Sequence, residues 1–406
     1  TIVCCYPRKS FAMSVTSMPE FFEDELISSK FFHGLASHED IRPLLANDGD
    51  YLLRLSYYEG RPVYVLSVFV ARKIRNFILN QDSSNHKFYF NAYQEISIKR
   101  LIERHHKTSI SLSANAPILK NAIPIPEWNF SAQSVMPTRK ISNCYWEEAI
   151  QAEIEVRRNK FPAAVMMLNE NADMESVKSF LAEARLLRKL NHPNILRSYG
   201  IIVTAKPVAM LLELCQTNLA RILREKKFGI TPLMKLRFAN EAASALAYLE
   251  GNKLVHKNVA ARNCLVDGNL SLKFGNLRDA TLTKCPSYLH SDPIHKVNVR
   301  WMAPETMQQH IFSTKSDVWA YGVLLWEIYA DGAEPYPGLT NLQICALVTL
   351  KDYRMDPLKT MPMTIWSVVT NCWRRVADQR PSFRELNQYM WNIRQRELRS
   401  RGAVVL

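Results

Sequence analysis

The apolar residues of this chain change their spacing near residue 175, and that change limits what the chain can fold into. Before it, apolar residues fall in short, strand-like segments; after it, helical spacing dominates. Strands first and helices later is the order of an α+β fold. A Pro-rich stretch at 117–126 divides the strand-rich part. Ahead of that stretch, residues 40–46 suggest a short helix with Ile41, Leu44 and Leu45 on one side, and 96–105 a second helix. Residues 51–56 and 64–70 read as strands joined at Gly60, and 76–80 and 87–90 as two more. This describes a small sheet flanked by two helices. Behind the stretch, strands over 129–172 followed by helices describe a two-lobed domain. No internal repeat is visible.

Length and composition narrow the function classes. A chain of 406 residues carries two or three domains. It has 47% hydrophobic and 22% charged residues, as ordinary globular proteins do. The longest apolar stretch, 321–329, is interrupted by Glu327 and reads as a buried helix, so no transmembrane span is expected. No basic segment followed by an apolar core opens the chain, so no secretory signal is expected, and a start at Thr1 fits a fragment of a longer protein. Eight scattered cysteines, without a C-x-x-C pair, read as reduced thiols in the cytoplasm. Cys4 and Cys5 are an acylation candidate only. The formal charge of +14 favours anionic partners, among them phosphopeptides and the inner face of the plasma membrane, or else is a diffuse solvated charge. No nucleic-acid motif accompanies it, so no nucleic-acid partner is expected.

One arginine stands out in the first part. In Y-L-L-R-L-S, residues 51–56, Leu53 and Leu55 point one way, and Arg54 and Ser56 the other. A guanidinium in mid-strand meets either a structural carboxylate or an anionic ligand, and the segment alone leaves both open. Its surroundings weigh on the choice. F-F-H-G-L-A-S-H (31–38), G-D-Y-L-L-R-L-S (49–56) and Y-V-L-S-V (64–68) resemble an SH2 domain in order and spacing. The resemblance implies a central antiparallel sheet flanked by the two helices, and makes Arg54 the bidentate ligand of a phosphotyrosine, with Ser56 adding a donor. His38 stands where the family usually carries a second arginine. Asn76, with Arg75 beside it, stands where it usually carries histidine.

The second part carries V-H-K-N-V-A-A-R-N-C-L-V at 255–266, which resembles the catalytic loop of a protein tyrosine kinase. W-M-A-P-E (301–305), S-D-V-W-A-Y-G (316–322) and C-W-R-R-V-A-D-Q-R-P-S-F (372–383) follow in the family's order, with Arg380 expected to pair with Glu305. F-L-A-E-A (180–184), N-H-P-N-I (191–195) and the hinge Leu212, Glu213 and Leu214 fill the N-terminal lobe. An SH2 domain joined to a kinase through a linker containing P-E-W (126–128) resembles the Fes/Fer group of nonreceptor tyrosine kinases, including its short nematode members. The chain would lack the membrane-binding N-terminal region of the longer members.

The resemblance also shows what is missing. Phosphoryl transfer needs a phosphate cradle, a lysine, two metal ligands and a base. The three cradle glycines fall at Ser142, Cys144 and Glu147, where side chains and carboxylates would meet the phosphates. The lysine falls at Met166, and a methionine cannot pair with phosphate or with the expected helix glutamate, Glu183. Lys160 or Arg158 is the candidate substitute cation. The magnesium aspartate falls at Asn276, with Asp279 three residues on, and the base at Asn258; Asn263 and Arg262 keep the family's identities. An amide has no useful basicity and offers a hard cation no charge. Tyr288 lies where activation-loop phosphosites occur.

The expected domains are a tail at 1–28, an SH2 domain at 29–122, a linker at 123–134, a kinase-like domain at 135–397 and a tail at 398–406. The main reading is a phosphotyrosine-reading adaptor or allosteric partner with a pseudokinase domain, needing no cofactor. Tyrosine-phosphorylated proteins, and an active kinase, would be its partners. The alternative is an ATP- and magnesium-dependent tyrosine kinase of weak or rearranged activity.

Overall fold

The computed structural model describes residues 24–90, 93–112, 117–141, 149–156, 159–169, 171–225, 228–282 and 298–400. The chain divides into two units. One holds Thr1–Lys140, Glu148–Arg185 and Ser198–Leu212; the other holds Ile141–Glu147, Leu186–Arg197 and Glu213–Leu406.

The first unit contains two five-stranded sheets. In the first, Phe32–Leu35, Asp50–Tyr58, Arg61–Val70 and Lys73–Ile78 lie in that order. The two hairpins at its centre are antiparallel, as expected. Two short strands beside them, Phe32–Leu35 and Asn121–Ala122, run parallel to the Asp50–Tyr58 strand. Glu59 and Gly60 take positive φ between the paired Tyr58 and Arg61, which is the two-residue turn that matches strand twist. The first helix is shorter and earlier than its pattern suggested, His38–Ile41, because Ser37 and Asp40 form a capping box that starts it. The second helix is Ile98–Thr108, capped by Ser97, and it buries Ile98, Leu101 and Ile102.

The second sheet has the order Ser198–Ile202, Ala209–Glu213, Asn159–Met167, Ala149–Val156 and Val135–Lys140. Its core gathers Ile150, Ile154, Val165, Ile202 and Leu211. Two of these strands follow the helix Met174–Lys189, inside the region whose spacing had looked helical. The expected linker is also packed structure. Phe130 N donates to Ile201 O (2.8 Å) and Ile201 N to Trp128 O (2.8 Å). Gly200 permits this: a Cβ there would lie 2.0 Å from the Trp128 carbonyl oxygen.

The second unit is helical. Its main helices are Pro232–Gly251, Thr314–Tyr329, Asn341–Leu350, Met363–Cys372 and Phe383–Ser400. Thr231 caps the first, with Pro at its first position, and a Ser313 capping box starts the second. Thr314–Tyr329 is buried all round, which explains its lack of a polar face. Tyr321 Oη donates to Ala239 O (2.9 Å), and a Cβ on Gly322 would lie 2.7 Å from Trp373 Nε1. Arg380 pairs with both oxygens of Glu305 (2.6 and 2.8 Å) and lies over Trp319.

Candidate functional site

Arg54 sits at the middle of its strand and is only 5% exposed. Its three nitrogens each meet a neutral acceptor. Nη1 donates to Ala36 O (2.8 Å), Nε to Ser67 Oγ (3.1 Å) and Nη2 to Asn76 Oδ1 (3.3 Å). Ser67 Oγ donates onward to Asn76 Oδ1 (2.7 Å). Burial pulls the guanidinium below its usual value and the charge of Asp40 opposes that pull; an arginine keeps its charge under such shifts. No carboxylate is hydrogen-bonded to it, so the structural ion pair that sequence left open is not what holds Arg54 among the described residues.

Of the residues expected around Arg54, Asn76 joins it directly. Ser56 is half-buried two positions along the same strand, on the Arg54 side. His38 is exposed at the start of its short helix. Arg75 alternates with Asn76 and so faces away from Arg54. Ser67 was not singled out from sequence. Its signal is weak, a lone serine in an apolar strand.

Asp40 has a second role. Arg185, on the helix Met174–Lys189, donates to Asp40 Oδ1 (2.8 Å) and Oδ2 (3.1 Å), to Ser37 Oγ (2.8 Å) and to Glu39. Burial works to raise the Asp40 carboxyl, but the hydrogen bonds and charge of Arg185 outweigh it and hold it below the usual range. On the same unit, Met166 (1% exposed) and Glu183 are buried on the strand and helix where lysine and glutamate were expected to meet. Lys160 does not take the lysine's place. It is 53% exposed and paired with Glu153 (3.3 Å), and six positions along a strand put it about 20 Å from Met166.

In the second unit the catalytic-loop residues form a closed hydrogen-bonded structure. Asp317 accepts from the backbone of His256 (2.6 Å) and Lys257 (2.9 Å). Burial pushes its carboxyl up to about 7. His256 is fully buried, which lowers it to about 4, and its Nε2 meets Gly275 O (3.2 Å). Glu327 accepts from Ala261 N (3.0 Å) and Trp301 Nε1 (2.9 Å), and burial raises it to about 7. Asn258 Oδ1 accepts from Arg262 Nη2 (3.1 Å) and Asn298 Nδ2 (3.1 Å), while Arg262 stacks on Trp301 at 3.9 Å. Asn298 was not anticipated.

Asn263 Nδ2 donates to Asn258 O (2.7 Å), and Gly275 N to Asn263 O (3.2 Å). Asn276 follows with positive φ and 2% exposure. Among the described residues, neither polar atom of the Asn276 side chain, nor Asn263 Oδ1, has a hydrogen-bond partner. A buried polar group left this way costs about 1–3 kcal/mol. Of the two positions that would have to hold magnesium, Asn263 is the amide that the resemblance implies, but Asn276 supplies a second neutral amide where a carboxylate is expected. Among the described residues no three His, Cys, Asp or Glu side chains gather to hold a metal. The donor set does not fit a hard divalent cation. Asp279 is exposed nearby in sequence. At the hinge, Leu212 is buried in the first unit, and in the second Glu213 pairs with Lys273 (3.0 Å), with Leu214 half-buried. Ser142, Cys144, Glu147, Arg158 and Tyr288 lie outside the described residues.

Comparison with known proteins places this geometry. A family model described as protein tyrosine and serine/threonine kinase matches residues 138–390, and an SH2 domain model matches 31–105. Fer-related kinase 1 of Caenorhabditis elegans is 35% identical over 372 residues, covering 90% of this chain and 94% of that protein. Tyrosine-protein kinase Fer of Homo sapiens is 30% identical over 395 residues, 96% of this chain but 47% of its own length. The transforming protein Fps of Fujinami sarcoma virus is 29% identical over 392 residues, 44% of its length. The chain thus spans nearly all of the nematode relative and about half of the longer ones.

Proposed function

The chain belongs to the protein tyrosine kinase family, as an SH2–kinase relative of Fer, and from that premise we propose that it reads phosphotyrosine without transferring phosphate. It acts as an adaptor or as the allosteric partner of an active kinase. The observation that carries this reading is the pair of amides at Asn258 and Asn276. Transfer needs a base at the first and an anionic metal ligand at the second, and the Asn258 oxygen is instead spent on Arg262 and Asn298. Met166 adds to it, since a thioether cannot pair with phosphate. Arg54 keeps the charge that phosphotyrosine needs. Its partners are tyrosine-phosphorylated proteins, met in the cytoplasm or at the inner membrane face, where a net charge of +14 favours anionic surfaces. No helix among the described residues is long and apolar enough to cross a membrane.

Descent supports a second reading, an ATP-dependent tyrosine kinase, because relatives named as kinases match nearly the whole chain. A thermal scan with and without Mg-ATP, run beside a phosphotransfer assay, separates the two. A ligand that binds only the folded state raises stability by about 2.7 kcal/mol at roughly 100 times its Kd. The adaptor reading expects no label on tyrosine. A metal-dependent shift together with labelled tyrosine would overturn it.

A further inference from the structure

The hydrogen bonds around Arg54 close into a ring. Arg54 Nε donates to Ser67 Oγ, Ser67 donates to Asn76 Oδ1, and Arg54 Nη2 donates to that same oxygen. The direction of each bond is forced. A guanidinium only donates, so the atoms of Ser67 and Asn76 that face it must be acceptors. Ser67 has one proton to give, and it goes to Asn76. The amide of Asn76 therefore turns its oxygen inward and its Nδ2 away from the ring. That nitrogen makes no hydrogen bond among the described residues, and Asn76 itself is exposed. Arg54 has five N–H donors, of which the ring and Ala36 O hold three.

We propose that Ser67 is the positioning residue of this pocket: by closing the ring it fixes Arg54 with two donors to spare and presents the Asn76 amide as a third, uncharged donor to phosphate. This rests on the phosphotyrosine reading given above. Ser67 is 0% exposed and cannot touch a ligand, so whatever it contributes passes through Arg54 and Asn76. The ring also does work that a second arginine would otherwise do. His38, at the position of that arginine, is exposed and joins no bond of the ring. A pocket with one full cation gains little from long-range attraction and depends on donors aimed before the ligand arrives. The inward face of Asn76 tolerates only an acceptor and its outward face is useful only as a donor. Among side chains of its shape, asparagine alone meets both requirements.

The isosteric change Asn76→Asp separates this role from a structural one. A carboxylate accepts the same bonds from Ser67 and Arg54, so the fold should hold or gain stability. Its outward oxygen meets phosphate with a negative charge instead of an N–H. The full chain would be titrated with a fluorescein-labelled degenerate phosphotyrosine peptide library, read by anisotropy, alongside thermal scans. We expect Asn76→Asp to weaken binding by at least about 30-fold with an unlowered Tm. Ser67→Ala should weaken it by about 10-fold, and Ser67→Thr, which keeps the hydroxyl, should restore it. Arg54→Ala should abolish it. Binding within threefold of wild type by both Asn76→Asp and Ser67→Ala overturns the ring while leaving the phosphotyrosine reading intact. Loss in Ser67→Ala without rescue by Ser67→Thr removes the role given to its hydroxyl. Absence of binding by the wild type defeats the reading and the ring together.

Discussion

The Arg54 pocket and the catalytic loop are built on the same physical plan with opposite remainders. Each surrounds a central polar side chain with hydrogen bonds from neighbouring groups. At Arg54 the partners are neutral, so the guanidinium keeps its full charge and has donors left over. At Asn258 the partners are two donors, Arg262 and Asn298, and the amide oxygen they meet has neither charge nor basicity left for a substrate. A site stays chemically available when its centre carries more bonding capacity than the scaffold uses. By that measure the geometry of the first unit suits the recognition role proposed for it, and that of the second suits a support.

The largest expected effect tests the support. Arg380 is buried, pairs bidentately with Glu305 and lies over Trp319. Removing one partner of such a pair leaves a charge with no counterpart and costs about 3–5 kcal/mol. Arg380→Ala should therefore lower the Tm of the second unit steeply in differential scanning calorimetry. A loss under about 1 kcal/mol would mean that the loop's scaffold is not what keeps it in shape. Next in size comes Arg54→Ala, which should remove phosphopeptide binding, at least about 100-fold, and leave the unfolding of the second unit unchanged. An effect on both would break the separation between the two regions.

A smaller effect comes from pH. Asp317 and Glu327 are raised to about 7 by burial, so the folded chain binds their protons more tightly than the unfolded chain. The stability this supplies is present at acid pH and lost as pH rises through about 7. His256, lowered to about 4 from 6.5 by burial, acts in reverse. Its contribution is present above about 6.5 and lost as pH falls toward 4. Two raised carboxyls outweigh one lowered imidazole between those values, so these three groups should place the maximum Tm of the second unit near pH 4.5 and lower it as pH rises to about 7. Melts between pH 4.5 and 8.5 that rise steadily to the alkaline end would contradict the buried, uncharged state of these carboxyls.

The sequence made the two regions unequally legible. The catalytic loop could be read almost residue by residue, because its departures sit inside a long ordered run of motifs and an amide for a carboxylate is a change of chemistry at constant shape. Arg54 was legible for a similar reason, as a charge in the middle of an apolar strand. Ser67 was not, because a serine in a strand acquires its meaning only from register, which sets it across from Leu52, two positions from Arg54 and on the same face of the sheet. Lys160 looked like a substitute cation for the opposite reason. Closeness in sequence to Met166 becomes about 20 Å once the segment is extended. The strands Ser198–Ile202 and Ala209–Glu213 were hidden too, since burial on both faces removes alternation and Gly200 interrupts the first.

The smallest expected change bears most directly on the comparison. Asn258→Asp restores the base at its own position without altering shape. The new carboxylate would accept the same bonds from Arg262 and Asn298, the first now charge-assisted, so stability should change by less than about 1 kcal/mol and in the favourable direction. Transfer should nonetheless stay absent, because Met166 still offers no cation and Asn276 still offers no charged metal ligand. Parts that act as a unit lose nearly everything when one is gone, and regaining one returns little. The measurement is label transfer from ATP to a tyrosine polymer by the wild type and Asn258→Asp, beside their thermal scans. Label appearing with this one substitution would mean that the remaining parts still function together, and the second unit would then be a kinase lacking only its base.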